Sequence, residues 1–188
     1  MPETPVPLVS VSARVEAERL LVDYRIQNRG SEPVCTYDGA AGAVGEDYPD
    51  LSSHRGVYVI FREPATLHVK RILVVPPGKT TQVLIPAVYR LEPGETRHVK
   101  LSLPAPVTEK CELSPHFDGA TYEPAQARAL QLVVGFMSLP SGSSLHPFPA
   151  DPRAFKVVGS HGPQDFASGV ATITVPVRKR TDSAFRRV

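Results

Sequence analysis

The chain has 188 residues, of which 41% are hydrophobic and 21% charged, with 20 prolines, no tryptophan and a net charge of +2. That length suffices for one domain burying roughly 70% of the surface its unfolded form exposes, and a proline share about twice the usual favours short strands and turns over long helices. The last eleven residues, RKRTDSAFRRV, hold five of the 21 basic groups and one of the 19 acidic ones, leaving 16 against 18 elsewhere. A body so nearly neutral excludes the broad basic face by which folds grip nucleic acid.

The basic run is expected to be a solvated, mobile end, so the organisation reads as one β-domain over residues 1–180 and a basic tail over 181–188. No apolar run approaches the length of about 20 residues that a membrane helix needs. The start, MPETPVPLVS, lacks the basic and apolar regions of a signal peptide. The expectation is a soluble chain that stays in the cytoplasm, and a periplasmic or secreted chain whose signal had been removed would read the same way.

In chain order, residues 8–16 place Val9, Val11, Ala13 and Val15 on one face, opposite Ser10, Ser12, Arg14 and Glu16, the two-residue period of a half-buried strand. Residues 19–28 repeat it with Leu20, Val22, Tyr24 and Ile26, and Ala17-Glu18 fits a tight hairpin connection. Asn28-Arg29-Gly30-Ser31 supplies turn chemistry, followed by a short strand containing Cys35. Residues 57–62 and 66–75 flank Glu63-Pro64-Ala65 as another pair. Residues 81–90 lead into Leu91-Glu92-Pro93-Gly94-Glu95, where Pro-Gly suits the centre of a type II turn. Beyond it Arg97, Val99, Leu101 and Leu103 alternate with His98, Lys100 and Ser102. Residues 129–139, apolar on both faces, read as a central strand, and Ala171, Ile173, Val175 and Val177 mark a closing strand that Pro176 makes an edge candidate.

Two segments rich in Gly, Pro, Ser and Asp, residues 38–55 and 140–169, read as long loops. The pattern predicts an all-β fold: one antiparallel, immunoglobulin-like sandwich of eight or nine strands carrying those two loops. RLLVDYRIQNRGSEPV and LEPGET resemble the opening hairpin and the later Pro-Gly turn of bacterial immunoglobulin-like or fibronectin-like accessory domains. The resemblance covers about a quarter of the chain and implies a sandwich that presents loops and edges to partners. It brings no catalytic residues, and the Cys-Trp-Cys signature of antibody domains is absent.

Chemistry is sparse. The nucleophile-elbow, zinc-protease, dinucleotide and phosphate-loop motifs are missing, and the nearest nucleophile–base pair is Ser160-His161. Of the six histidines, His68 and His98 alternate with apolar neighbours and are expected on a solvated face beside Lys70 and Lys100. His54 follows the acidic Glu46, Asp47 and Asp50 without the spacing of a calcium loop. Cys111 and His116, within CELSPHFDGAT, have the spacing of a cupredoxin-type metal loop but lack the further ligands such a site needs, since Thr121 stands where a methionine would and Met137 lies in an apolar strand. Cys35 and Cys111 could instead form a disulfide worth about 4 kcal/mol in an oxidising compartment, or both remain thiols.

The resulting expectation is a non-enzymatic accessory protein that binds an unidentified protein partner through its long loops or a strand edge. It is expected to use no catalytic residue, no cofactor, no metal and no nucleic acid. The alternative is a cupredoxin-like metal protein using Cys111 and His116, with a hydrolase built on Ser160 and His161 behind it.

Overall fold

A computed structural model describes residues 6–41, 57–62, 64–72, 85–110, 120–138, 143–148, 151–158 and 164–181. Its strands are β1 (Leu8–Glu16), β2 (Arg19–Gln27), β3 (Val34–Ala41), β4 (Val57–Arg62), β5 (Thr66–Arg71), β6 (Ile85–Leu91), β7 (Thr96–Pro104), β8 (Val107–Thr108), β9 (Tyr122–Met137), β10 (Ser144–Phe148), β11 (Asp151–Val158) and β12 (Asp165–Arg180). The described residues contain no helix.

The alternating segments near the N-terminus pair as expected. β1 and β2 run antiparallel from Leu8↔Gln27 to Glu16↔Arg19, and the connection places Ala17 and Glu18 at φ 47° and 59°. Two successive positive φ values give the turn whose twist matches that of the flanking strands. With β7 these strands form a three-stranded sheet in the order β1-β2-β7.

The second sheet has nine strands, ordered β10-β11-β6-β3-β9-β12-β8, with the β4–β5 hairpin attached where β5 meets β9. One edge of β9 runs along β12 over most of its length. The opposite edge is shared between β5, at Ala129 to Val134, and β3, at Phe136 and Met137. The segment expected to be a central strand is therefore the spine of this sheet.

The fold is all-β, but four finer expectations are corrected. Twelve strands replace eight or nine. The sheet is mixed, because β5–β9 and β8–β12 are parallel. Several strands intervene between the members of each parallel pair, which gives the chain room to return in the same direction. The expected loop at 140–169 contains β10, β11 and the first residues of β12, while 38–55 begins inside β3 and its remainder from Gly42 lies outside the described residues. The basic run is not a free end from its first residue: Arg178, Lys179 and Arg180 complete β12, Arg180 is buried, Lys179 lies 3.2 Å from the Glu123 carboxylate, and Thr181 donates its main-chain N–H to Thr121 at 3.0 Å.

One core lies between the two sheets. Leu20, Val22, Tyr24 and Ile26 of β2 join Leu67 and Val69 of β5, Leu130, Leu132, Val134 and Phe136 of β9, and Val175 and Val177 of β12. Each fully buried aliphatic or aromatic side chain contributes about 1.5–3 kcal/mol of transfer free energy. On the other face of the larger sheet, Cys35, Tyr37, Val88, Met137 and Val157 form a second cluster.

The segment after β8 joins β12 to β4. Lys110 exchanges main-chain hydrogen bonds with Val59 at 2.9 Å in both directions, and Glu109 donates its N–H to the Arg178 carbonyl at 3.1 Å. The buried Glu109 carboxylate accepts the N–H of Phe61 with one oxygen and that of Arg180 with the other. One acidic side chain thus satisfies main-chain donors on two strands, as buried donors require. β12 is consequently not the outermost strand, although β8 covers it only at Val177 and Arg178.

Candidate binding site

The arrangement begins with two turns read from the sequence. In the first, the Asn28 Oδ1 accepts the Gly30 N–H at 2.9 Å, an Asx turn. In the second, Gly94 adopts φ 80° and the Glu95 N–H reaches the Glu92 carbonyl at 3.0 Å, the closing bond of the expected type II turn.

Asn28 ties these turns together. It has no exposure to solvent, its N–H donates to the Glu95 carbonyl at 3.0 Å, and its carbonyl accepts from Gly94 at 2.9 Å. Its amide Nδ2 donates to the carbonyls of Glu32, at 2.8 Å, and Leu91, at 3.1 Å. The residue was legible as a turn former; its role as a fastener between chain segments was not.

β11 pairs with β6 only through Ala154↔Tyr89, Phe155↔Val88 and Lys156↔Ala87. Continuing that register sets Pro152 opposite Leu91. Proline is confined to edges and ends of ladders, and the pairing stops short of it; the Leu91 carbonyl accepts from the Asn28 amide. A cleft of about 480 Å³ lies at this end of the two strands, with Pro152, Arg153 and Phe155 on one wall and Tyr89 to Glu92 and Glu95 to His98 on the other.

Three arginines line it. The Arg97 guanidinium carbon sits 3.2 Å from the centre of the Tyr89 ring, a stacking that accounts for a charged residue on the inward face of β7. Arg90 pairs with Glu92 at 2.7 Å, and Glu95 accepts the Glu92 N–H at 2.9 Å. Three arginines against two carboxylates leave the cleft a polar recess of net positive charge, with Tyr89 and Phe155 as its aromatic surface.

His98, the expected solvated histidine, borders the cleft and is half exposed, with Nε2 lying 2.9 Å from an Asp23 oxygen and 3.1 Å from the Arg25 Nε. On its other side Ser10, Ser12, Asp23 and Arg25 line a shallower depression of about 340 Å³. His68 departs from expectation. It is half-buried, and burial first, then Arg62 and Lys70, holds its pKa below the ordinary imidazole value.

Cys35 is a free thiol with 1% exposure, and its pKa is pushed up to about 11 chiefly by burial, Arg90 acting in the lowering direction and Glu92 in the raising one. A thiol so held is a poor nucleophile and a poor metal ligand. Beside it the Tyr37 hydroxyl lies 3.1 Å from the Met137 sulfur, in the apolar strand where Met137 was expected. Cys111, His116, Ser160, His161 and His54 lie outside the described residues, and so do the metal and hydrolase readings built on them; of the candidate disulfide only Cys35 is described, and it is free. Among the described residues no three His, Cys, Asp or Glu side chains group around a common metal position, and no helix is long and apolar enough to cross a membrane.

No family model, curated protein or solved structure matches the chain at a significant level. The cleft was not singled out in the sequence as a site, although Glu92 and Glu95 were read as turn residues, Arg97 as a strand residue and His98 as a solvated histidine. The available signal was Pro152-Arg153, a proline beside a cation within a segment read as a loop.

Proposed function

We propose that the chain is a binding protein with no enzymatic step, an accessory β-sandwich of the immunoglobulin-like kind that docks a protein partner in the cleft between β11 and the β6–β7 turn. The observation that carries this reading is the placement of Pro152, Arg153 and Phe155, from the segment expected to serve recognition, opposite a wall pinned by Asn28. A wall held by the Asn28 hydrogen bonds facing the end of a strand pairing is a recess of the kind recognition sites use, with aromatic surface and a few directed polar groups. Two sheets around one core support the sandwich part of the reading; the parallel pairs are its departure from the immunoglobulin pattern.

The test is affinity capture from the native cells with the wild-type chain, Arg153→Glu, and Arg14→Pro on the exposed β1 strand. A partner lost with Arg153→Glu and kept with Arg14→Pro supports the cleft. The reverse result moves the contact to the strand edge.

A further inference from the structure

Resting on the binding reading above, we infer that the cleft takes an extended, acidic segment of the partner, whose carboxylates meet the guanidinium groups of Arg153 and Arg97. The first support is charge. The lining holds three arginines against two glutamates, of which Glu92 pairs with Arg90, so the recess carries a net positive charge. Arginine presents a planar fork that matches a carboxylate in two-point geometry, and its own stacking on an aromatic ring orders it beforehand. Arg97 is held in this way over Tyr89.

The second support is shape. His98 borders both the 480 Å³ cleft and the 340 Å³ depression beside it, so a segment in extended conformation can run across the imidazole from one to the other. A compact ligand would use only one of the two.

The experiment is fluorescence anisotropy on the full chain with three labelled peptides of one length: one rich in Glu and Asp, its Gln and Asn counterpart, and a Lys counterpart. The acidic peptide is expected to bind tightest, to weaken as salt is raised, and to bind about tenfold more weakly to Arg153→Glu, with Arg153→Lys recovering much of the loss. Arg153 is exposed, so these variants fold, and Arg90→Glu gives a second reading of the same cleft. Equal binding of the neutral or basic peptide, no binding of the acidic one, insensitivity to Arg153→Glu, or stronger arginine-dependent binding of a single-stranded oligonucleotide would each overturn the inference. The capture experiment above tells these failures apart from failure of the cleft itself: a partner still lost with Arg153→Glu leaves the site standing and removes only its acidic preference.

Discussion

The Glu109 side chain lies with Oε2 2.5 Å from the main-chain nitrogen of Arg180, while its other oxygen accepts from Phe61. A carboxylate thereby stands where a further strand would present carbonyls, and it does so for β12 and β4 together. Removing it leaves two buried main-chain donors without this acceptor, and each such donor costs about 1–3 kcal/mol. Glu109→Ala is therefore expected to lower stability by about 2–4 kcal/mol. Glu109→Gln, which keeps one acceptor oxygen, should lose less. Urea unfolding midpoints of the three proteins check the order, and equal midpoints would refute the role assigned to the carboxylate.

Asn28→Ala removes two donated bonds and one accepted bond from a site without solvent exposure. A loss of about 2–4 kcal/mol is expected. Asn28→Asp should be no better, because it keeps the acceptor for Gly30 but replaces the amide donor with a charge facing two carbonyls. Thermal melts read the stability, and hydrogen exchange at the main-chain N–H of Gly94 and of position 28, the donors of the two bonds that join the turns, reads the fastening itself.

The buried thiol at Cys35 makes stability fall on the alkaline side. Its neutral form is favoured in the folded state, where the pKa is about 11, against an ordinary value of 9.0. The contribution is whole below pH 9 and is lost as pH rises through 11, amounting to about 2–3 kcal/mol for a shift of this size. Tyr37, raised to about 12 mainly by burial, extends the decline. Cys35→Ala should have a shallower fall in unfolding free energy between pH 9 and 11 than the wild type. In the native protein at pH 8 the Cys35 peptide should resist iodoacetamide and react fully in urea; rapid native labelling would contradict the burial.

His68 acts on the acid side. Its folded pKa is depressed below the ordinary value of 6.5, so the unfolded chain takes up a proton that the fold resists. Stability from this group is present above the unfolded value and declines as pH falls through it. His68→Gln should flatten the stability profile below pH 6.5 and leave it unchanged at pH 8. A variant profile parallel to the wild type throughout would show that the imidazole titrates as it would in water.

Period-two alternation made β1, β2, β7 and the end of β12, whose two faces meet different surroundings, legible together with their turns. β10 and β11 were not, because Ser144–Phe148 and Asp151–Val158 each contain a proline and no clean alternation. β8 has two residues, too few for any period, and owes its place to the side chain that follows it. Parallel pairing was invisible for another reason: alternation states which face is buried and says nothing of which strand lies alongside. The cleft was hidden because its walls belong to segments about sixty residues apart in sequence, from Arg90 to Arg153, joined by a register that no local pattern encodes.

Pro152 gives experimenters a matched negative control. Because the pairing of β11 with β6 ends at Ala154 and the recess opens just beyond it, replacing the φ-restricted proline by a strand former, Pro152→Thr, is expected to let β11 follow β6 further and narrow the opening. Every arginine, glutamate and aromatic of the cleft stays in place in that variant. A partner that distinguishes Pro152→Thr from the wild type would be reading the gap between two strands, and one that does not would be reading surface charge alone.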